Sequence, residues 1–566
     1  MKEKRIKKWW LIRTLLTMVG KKCLGEMTKA SKNGKKASAE CLRSTLEWAK
    51  DSVYGKEHNF AEILAAKTED ELFALYQKNV PINLYEDLSP YIERHKNGEA
   101  NVLFPGKPKM YATTSGTTKE PKWIPVSEEY YKMVYKKMNQ GWFYTMIMNR
   151  PKVFTGTTVI IVGKAIEGAA PDGTVYGSIS GVMSRDIPDF MKGIYYVPVE
   201  VNYIADYKSR YYCIMRFGLE KDVTLLLTAN PSTLVEMQTN VNEFYDDYCN
   251  DIEHGTINAN LNIPADIRAV LEKTGKPNPE RAAELRKLKE RFGTVLPKHY
   301  WPNLQVINTW FCGNTKIYYD KVRDSFPPDA VFHEFSYVST ECKGGLVLKS
   351  NAQETTMFGH KIYYEFIHES EVGNPNPKIL QIHELVEGQR YCPMATTNSG
   401  LYRYNMTDLI EVSSYYNQFP EIKFIQKVNG TVSLTGEKLH ERQFIDGIHE
   451  AEKRVSKKLS FYVGFADAEK SNYKFYYEFA DQNTTQAEAE AFTAELDLVL
   501  QGFNAEYREK RASNRVKAPD TARLGPESFE RFKAGCIAKG YRDGQFKLNL
   551  LMQDESRHVM FKELVK

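Results

Sequence analysis

Two short, unbroken apolar runs constrain the fold of this chain more than any other feature. One is Thr157-Thr158-Val159-Ile160-Ile161-Val162, ending at Gly163; the other is Val223-Thr224-Leu225-Leu226-Leu227-Thr228. Neither alternates polar with apolar, which is the pattern of strands covered on both faces. Each is too short and too β-branched for a buried helix. Helical stretches such as Tyr130–Met148 supply covers. Strands alternating with helices predict a mostly parallel α/β sheet. Asn230-Pro231-Ser232 stops the second run and offers a helix start.

The chain has 566 residues, enough for several structural units. Residues 1–37 form a basic N-terminal arm leading into a first helix. Residues 38–98 read as helices, with Leu42, Leu46, Leu72 and Leu75 at helical spacing. Residues 266–292 read as a polar helix pair broken by Pro277 and Pro279. Residues 388–425 suggest a small β unit. A separate α+β module is expected from 427 onward, with strands near Phe461–Phe465 and Lys474–Phe479 and an acidic helix from Thr485 to about Phe503. The expected domains are therefore 1–37, 38–426 and 427–566.

Net charge is +5, but residues 1–37 carry twelve Lys/Arg against two Glu, a local +10, which leaves −5 on the rest. A uniformly basic nucleic-acid-binding body is excluded; the start could touch acidic lipid or nucleic acid, but reads first as a solvated basic arm. No apolar run is long enough for a spanning helix, so stable membrane insertion is not expected. Eight scattered cysteines include no CxxC pair, and no HExxH motif occurs. A disulfide framework is not expected in so large a chain, which suits a cytoplasmic protein.

Three stretches could carry chemistry. Thr113-Thr114-Ser115-Gly116-Thr117-Thr118-Lys119-Glu120-Pro121-Lys122 sets hydroxyls around a glycine, with lysines after it. Its backbone N–H groups could cradle phosphate, with Lys122 adding charge. The composition suits a surface Ser/Thr turn equally well, and GxxxxGK[ST] is absent. Tyr337-Val338-Ser339-Thr340-Glu341 offers an aromatic face for a base, hydroxyls for phosphate and a carboxylate for Mg²⁺. An ordinary strand end has the same composition. Gly400-Leu401-Tyr402-Arg403-Tyr404-Asn405-Met406-Thr407-Asp408 ends in an Asp suited to a ribose diol, to a turn, or to pairing with Arg403.

Taken together, in this order and spacing and with a late lysine, the three stretches resemble the adenylate-forming ANL superfamily. Asn230-Pro231-Ser232-Thr233-Leu234, Trp301-Pro302-Asn303-Leu304, Tyr364-Glu365-Phe366-Ile367 and Gly544-Gln545-Phe546-Lys547 narrow the resemblance to the auxin-responsive promoter protein family of acyl-acid amido synthetases. That resemblance spans roughly residues 38–560. It implies an α/β fold: a large N-terminal domain of mostly parallel sheets covered by helices, with a small β unit, and a smaller mobile α+β C-terminal domain. It also implies site roles. Thr114, Ser115, Gly116, Thr117 and Thr118 would embrace ATP phosphates, and Gly313, Asn314 and Thr315 would form the adenine-side loop. Tyr337 would stack on adenine, Thr340 would touch the α-phosphate, Glu341 would hold Mg²⁺ and Asp408 would bind ribose. Lys427 lies in the hinge, and Lys547 aligns with the mobile catalytic lysine.

This sequence departs from the family pattern at four places. Thr407 replaces the glycine before the ribose Asp, Cys312 precedes Gly313, Lys427 stands for arginine, and no prolines follow Lys547. The implied reaction uses ATP and Mg²⁺ to activate a small carboxylic acid and transfers the acyl group to an amino acid or other amine. An acyl-CoA ligase and a non-catalytic ligand-binding relative are the alternatives. The acid's pocket is expected around 141–184 and 335–340, for example at Trp142, Phe143 and Met183.

Overall fold

The computed structural model describes residues 2–114, 122–187, 193–311, 316–428, 430–528, 531–532, 535, 550–553 and 555–565. The chain divides into two units. One comprises residues 1–113 and 123–426, the other 114–122 and 427–566.

Among the described residues the first unit contains three sheets, apart from the strand-end residues Thr114, Lys122 and Lys427. Strands β1 (Met110–Thr114), β2 (Lys122–Val126), β4 (Gly168–Ala169) and β5 (Val175–Gly177) form one, in the order β2-β1-β5-β4. The two apolar runs become β3 (Thr157–Ile161) and β6 (Val223–Thr228), which pair in parallel with Val159 opposite Leu226. Strands β7 (Val306–Thr309) and β8 (Val331–Glu334) extend this sheet, and every pair is parallel, as expected. All six residues of β6 are buried, which is why the run does not alternate polar with apolar.

The third sheet is larger than the expected β unit. It comprises β9 (Gly345–Leu346), β10 (Thr355–Met357), β11 (Tyr363–His368), β12 (Ile379–Gln381), β13 (Arg390–Thr396), β14 (Tyr404–Asn405), β15 (Asp408–Tyr416) and β16 (Phe419–Lys427). Its pairings are antiparallel. The two- and three-residue strands at its start are too short to show any periodicity.

The basic start is not a solvated arm. Residues Lys2–Ser31 form one helix, α1, and Ile12, Leu16, Cys23 and Met27 on one of its faces are buried. Their spacing of four, seven and four residues follows the helical period. Gly20 lies on the same face. A Cβ there would sit 2.2 Å from Tyr144 Cβ and 2.5 Å from Gln140 O, so only glycine admits the helix containing them, Lys137–Asn149. Lys21, Lys22 and Lys29 are exposed on the other faces.

The second unit has a sheet in which Leu459–Asp467 pairs antiparallel with Asn472–Phe479, flanked in parallel by Leu551–Met552 and Asp520–Arg523. The helix Gln486–Phe503 begins with a capping box in which Thr485 and Glu488 satisfy each other's backbone N–H. Tyr477, Phe492, Leu496 and Leu500 belong to one buried cluster.

Candidate active site

The segment after β8 leaves the carboxyl end of the parallel sheet, the edge where open α/β sheets hold ligands. Ser336 makes the exit with φ +75°. Its carbonyl accepts from Trp310 Nε1 at 3.1 Å, and its hydroxyl accepts from the Val347 N–H at 3.3 Å. The chain then folds back on itself. Gly344 N donates to Tyr337 O at 2.8 Å, Ser339 N to Cys342 O at 2.8 Å, and Cys342 N to Ser339 Oγ at 3.1 Å. Thr340 and Glu341 therefore occupy the tip of a tight turn, both half-buried. A Cβ on Gly344 would come 2.5 Å from the Tyr337 ring, so the glycine leaves room for that ring.

Tyr337 reaches from this turn to the third sheet. Its hydroxyl donates to Asp408 Oδ2 at 2.6 Å. Burial, then the Asp408 charge, push its pKa well above the ordinary phenol value, which keeps it a donor. Asp408 is buried and opens β15. Thr407 stands where the family pattern has glycine, and its φ is +52°, a conformation glycine adopts without strain. Two local bonds accompany that conformation: Thr407 N donates to Asn405 Oδ1 at 2.9 Å, and Thr407 Oγ1 to Met406 O at 2.7 Å.

Arg403 forms its ion pair with Glu365 rather than with Asp408. Its Nε donates to Glu365 Oε2 at 2.7 Å, and its Nη1 to Val80 O at 2.8 Å. Both members of the pair are buried. Burial raises the Glu365 pKa while the Arg403 charge lowers it. The alternative in which Asp408 serves Arg403 is thereby removed.

A lysine not singled out in the sequence lies two residues past Glu341. Lys343 is buried, and its Nζ donates to Asn139 Oδ1 at 2.8 Å. Burial pushes its pKa down to about 7. The only sequence signal was a lysine inside the otherwise small and apolar run Cys342-Lys343-Gly344-Gly345-Leu346. Of the expected pocket wall, Trp142 packs edge-on to Phe335 at 4.9 Å and Phe143 edge-on to Phe154 at 5.6 Å. Met183 Sδ accepts from Asn139 Nδ2 at 3.8 Å.

The remaining site expectations divide in two. The backbone of Thr114 ends β1, Lys122 begins β2, and Lys427 ends β16. Ser115, Gly116, Thr117, Thr118, Gly313, Asn314, Thr315 and Lys547 lie outside the described residues. Among the described residues no group of three or more His, Cys, Asp or Glu gathers as a metal cage. A Mg²⁺ ion held by one carboxylate together with phosphate oxygens and water fits Glu341 without such a cage. Also among the described residues, no helix is long and apolar enough to cross a membrane.

Three family profiles match in succession: the GH3 family N-terminal domain over residues 23–331, the central domain over 355–427 and the C-terminal domain over 442–556. The indole-3-acetic acid-amido synthetase GH3.3 of Arabidopsis thaliana is 23% identical over 557 residues, covering 93% of this chain and 91% of the relative. The jasmonoyl–L-amino acid synthetase JAR4 of Nicotiana attenuata is 25% identical over 457 residues, 76% of each chain. Among solved structures, the GH3.15 acyl acid amido synthetase matches with TM-score 0.63 at 19% identity, covering 96% of each chain. A 2-hydroxyisobutyryl-CoA ligase in the thioesterification state matches with TM-score 0.51 at 12% identity, covering 94% of this chain and 92% of its own. The fold is thus shared with adenylate-forming enzymes, and the chain belongs to the GH3 family.

Proposed function

We propose that this protein is an ATP-dependent acyl-acid amido synthetase. It activates a small carboxylic acid as its acyl-adenylate and transfers the acyl group to the amine of an amino acid. The observation that carries this reading is the bond from Tyr337 to Asp408, which brings two expected nucleotide contacts, 71 residues apart, together beyond the end of a parallel sheet. The amide-forming names of the relatives support an amine rather than a thiol as acceptor.

In this reading Tyr337 covers the adenine face, and the bond it gives Asp408 orients that carboxylate toward the ribose hydroxyls. Thr340 contacts the α-phosphate. Glu341 holds a Mg²⁺ ion, which when bound supplies positive charge to the phosphoryl oxygens. The loop Thr114, Ser115, Gly116, Thr117, Thr118 surrounds the phosphates, assisted by Lys122, and Gly313, Asn314 and Thr315 flank the base. Lys427 serves at the hinge and Lys547 as the mobile lysine. The adenylating body is 38–426 and the C-terminal module 427–566; residues 1–37 supply a basic helix packed on that body.

The acid's carboxylate oxygen attacks the α-phosphorus in line, and pyrophosphate leaves. The amine then attacks the acyl carbon, AMP leaves with the bonding pair, and the amine loses a proton. Aligning two anions is the main task of the first step, so positioned donors and cations serve it better than a protein nucleophile. A cytoplasmic location accords with six buried thiols outside any disulfide among the described cysteines. Incubating the protein with ATP, Mg²⁺ and a library of acids, with either an amino-acid mixture or CoA as acceptor, tests the assignment. Mass spectrometry is expected to find acyl amides. Thioesters alone would make it a CoA ligase, and no AMP release with any acid would make it a non-catalytic relative.

A further inference from the structure

The helix that faces the Glu341 turn is not α-helical throughout. Between Glu128–Tyr130 and Lys137–Asn149 it widens into a π-helix, Tyr131–Lys136. Such widened turns often occur at functional sites, because the extra residue re-aims the side chains around it. Tyr135 lies in the π segment, and Asn139 and Trp142 follow four and seven residues later, on one helical face.

Lys343 meets this face. Its Nζ donates to Asn139 Oδ1 at 2.8 Å and lies 5.2 Å from the Tyr135 ring centre and 5.9 Å from the Trp142 ring centre. Tyr135, Lys343 and Trp142 are 1%, 6% and 7% exposed. Among the described residues the polar contact of Lys343 Nζ is Asn139 Oδ1, with no ion pair to a carboxylate, and Tyr135 Oη and Trp142 Nε1 have no hydrogen-bond partner. An ammonium carries three donor hydrogens, of which Asn139 takes one. The two remaining ammonium hydrogens, with the unpartnered Tyr135 hydroxyl and Trp142 N–H, are buried donors among aromatic rings and complement an anion, because a buried charge is tolerated when paired.

We propose that Lys343, with Tyr135 and Trp142, binds a carboxylate of the acyl substrate. That carboxylate is either the reacting one or a second one on a dicarboxylic acid. Its identity as acyl substrate rests on the synthetase reading, since the cluster lies two residues from Glu341. Lys343 is thereby a specificity-determining residue for acids that carry such a group against an aromatic or aliphatic body.

Nucleotide-free protein is titrated with benzoate, terephthalate, hexanoate and adipate, followed by calorimetry and by the shift in melting temperature. Lys343→Met removes the charge and keeps the stem; Trp142→Phe removes one donor and keeps a ring. At least one acid is expected to bind wild type, and Lys343→Met to weaken it about 10-fold or more, the scale of losing a buried charge partner. Trp142→Phe, which leaves Lys343 in place, is expected to weaken it by a smaller factor. Loss for all four acids assigns the reacting carboxylate, and loss confined to the two diacids assigns a second one. No binding of any of the four to wild type, or equal binding by wild type and both variants, overturns the proposal. Lys343-dependent binding without pyrophosphate exchange for any acid would overturn the synthetase reading and leave the carboxylate subsite standing.

Discussion

Tyr337 Oη donates to Asp408 Oδ2 at 2.6 Å, joining the turn after the parallel sheet to the first residue of a strand in the antiparallel sheet. One oxygen of the buried carboxylate is thus bonded by a group that also presents an aromatic face. A hydrogen bond to a charged acceptor contributes about 1.5–3 kcal/mol when its partner is desolvated. Orienting Asp408 and placing the Tyr337 ring are therefore coupled tasks.

That coupling is measurable. Tyr337→Phe keeps the ring and removes the donor, and Asp408→Asn removes the charge. Each is expected to raise the apparent KM for ATP in pyrophosphate exchange, and the double variant to lose less than the two single losses added, with a coupling of about 1–3 kcal/mol. Strictly additive effects would show that the two residues act separately.

Gly344→Ala perturbs the same contact without replacing either partner. The new methyl would lie 2.5 Å from Tyr337 Cδ1 and 2.9 Å from Tyr364 Oη. The ring is expected to shift from Asp408, raising the ATP requirement in the same direction as Tyr337→Phe. A variant with unchanged KM for ATP would mean that the ring position is not critical.

Glu365→Gln tests the neighbouring ion pair. It leaves Arg403, which is buried and held by the Val80 and Gln77 carbonyls, without its counter-charge. Loss of one partner from such a pair typically costs about 3–5 kcal/mol, read from the urea midpoint, while KM for ATP in the folded fraction stays near wild type. A large change in KM with unchanged stability would instead place Glu365 in the nucleotide site.

Acid stability depends in part on His95. Its ring is fully buried, Nδ1 lies 3.0 Å from Glu99 O, and Nε2 accepts from the Leu103 N–H at 3.1 Å, so the neutral form is the one held. Burial lowers its pKa from 6.5 to about 4. The unfolded chain takes up this proton near 6.5 and the folded one only near 4. The stabilisation is therefore complete above 6.5 and is lost as pH falls between those values. The loss amounts to about 3 kcal/mol, and His95→Gln should flatten that part of the stability–pH profile. An unchanged slope in urea titrations across that range would assign the acid sensitivity to other groups.

The features legible in the sequence were those in which one local segment carries the signal. The β3 and β6 runs read as strands because burial on both faces demands an unalternating run, and Tyr337, Thr340 and Glu341 could be proposed together because one five-residue stretch holds them. The bond from Tyr337 to Asp408 has no local signature, since two different sheets bring the residues together. Adjacency to Asp408 suggested Arg403 as its partner, whereas Arg403 reaches Glu365 on another strand. In α1 the lysines obscured the stripe of Ile12, Leu16, Cys23 and Met27. Lys343 escaped notice because its role comes from a helix face about 200 residues earlier, reached through Asn139.

Carboxylic-acid-dependent exchange of labelled pyrophosphate into ATP, screened over aromatic and aliphatic acids with no amine present, tests the central claim most directly. The account predicts exchange that requires one class of acid and falls when Asp408 is replaced by Ala. Absence of exchange with every acid, from folded protein that binds ATP, would contradict it.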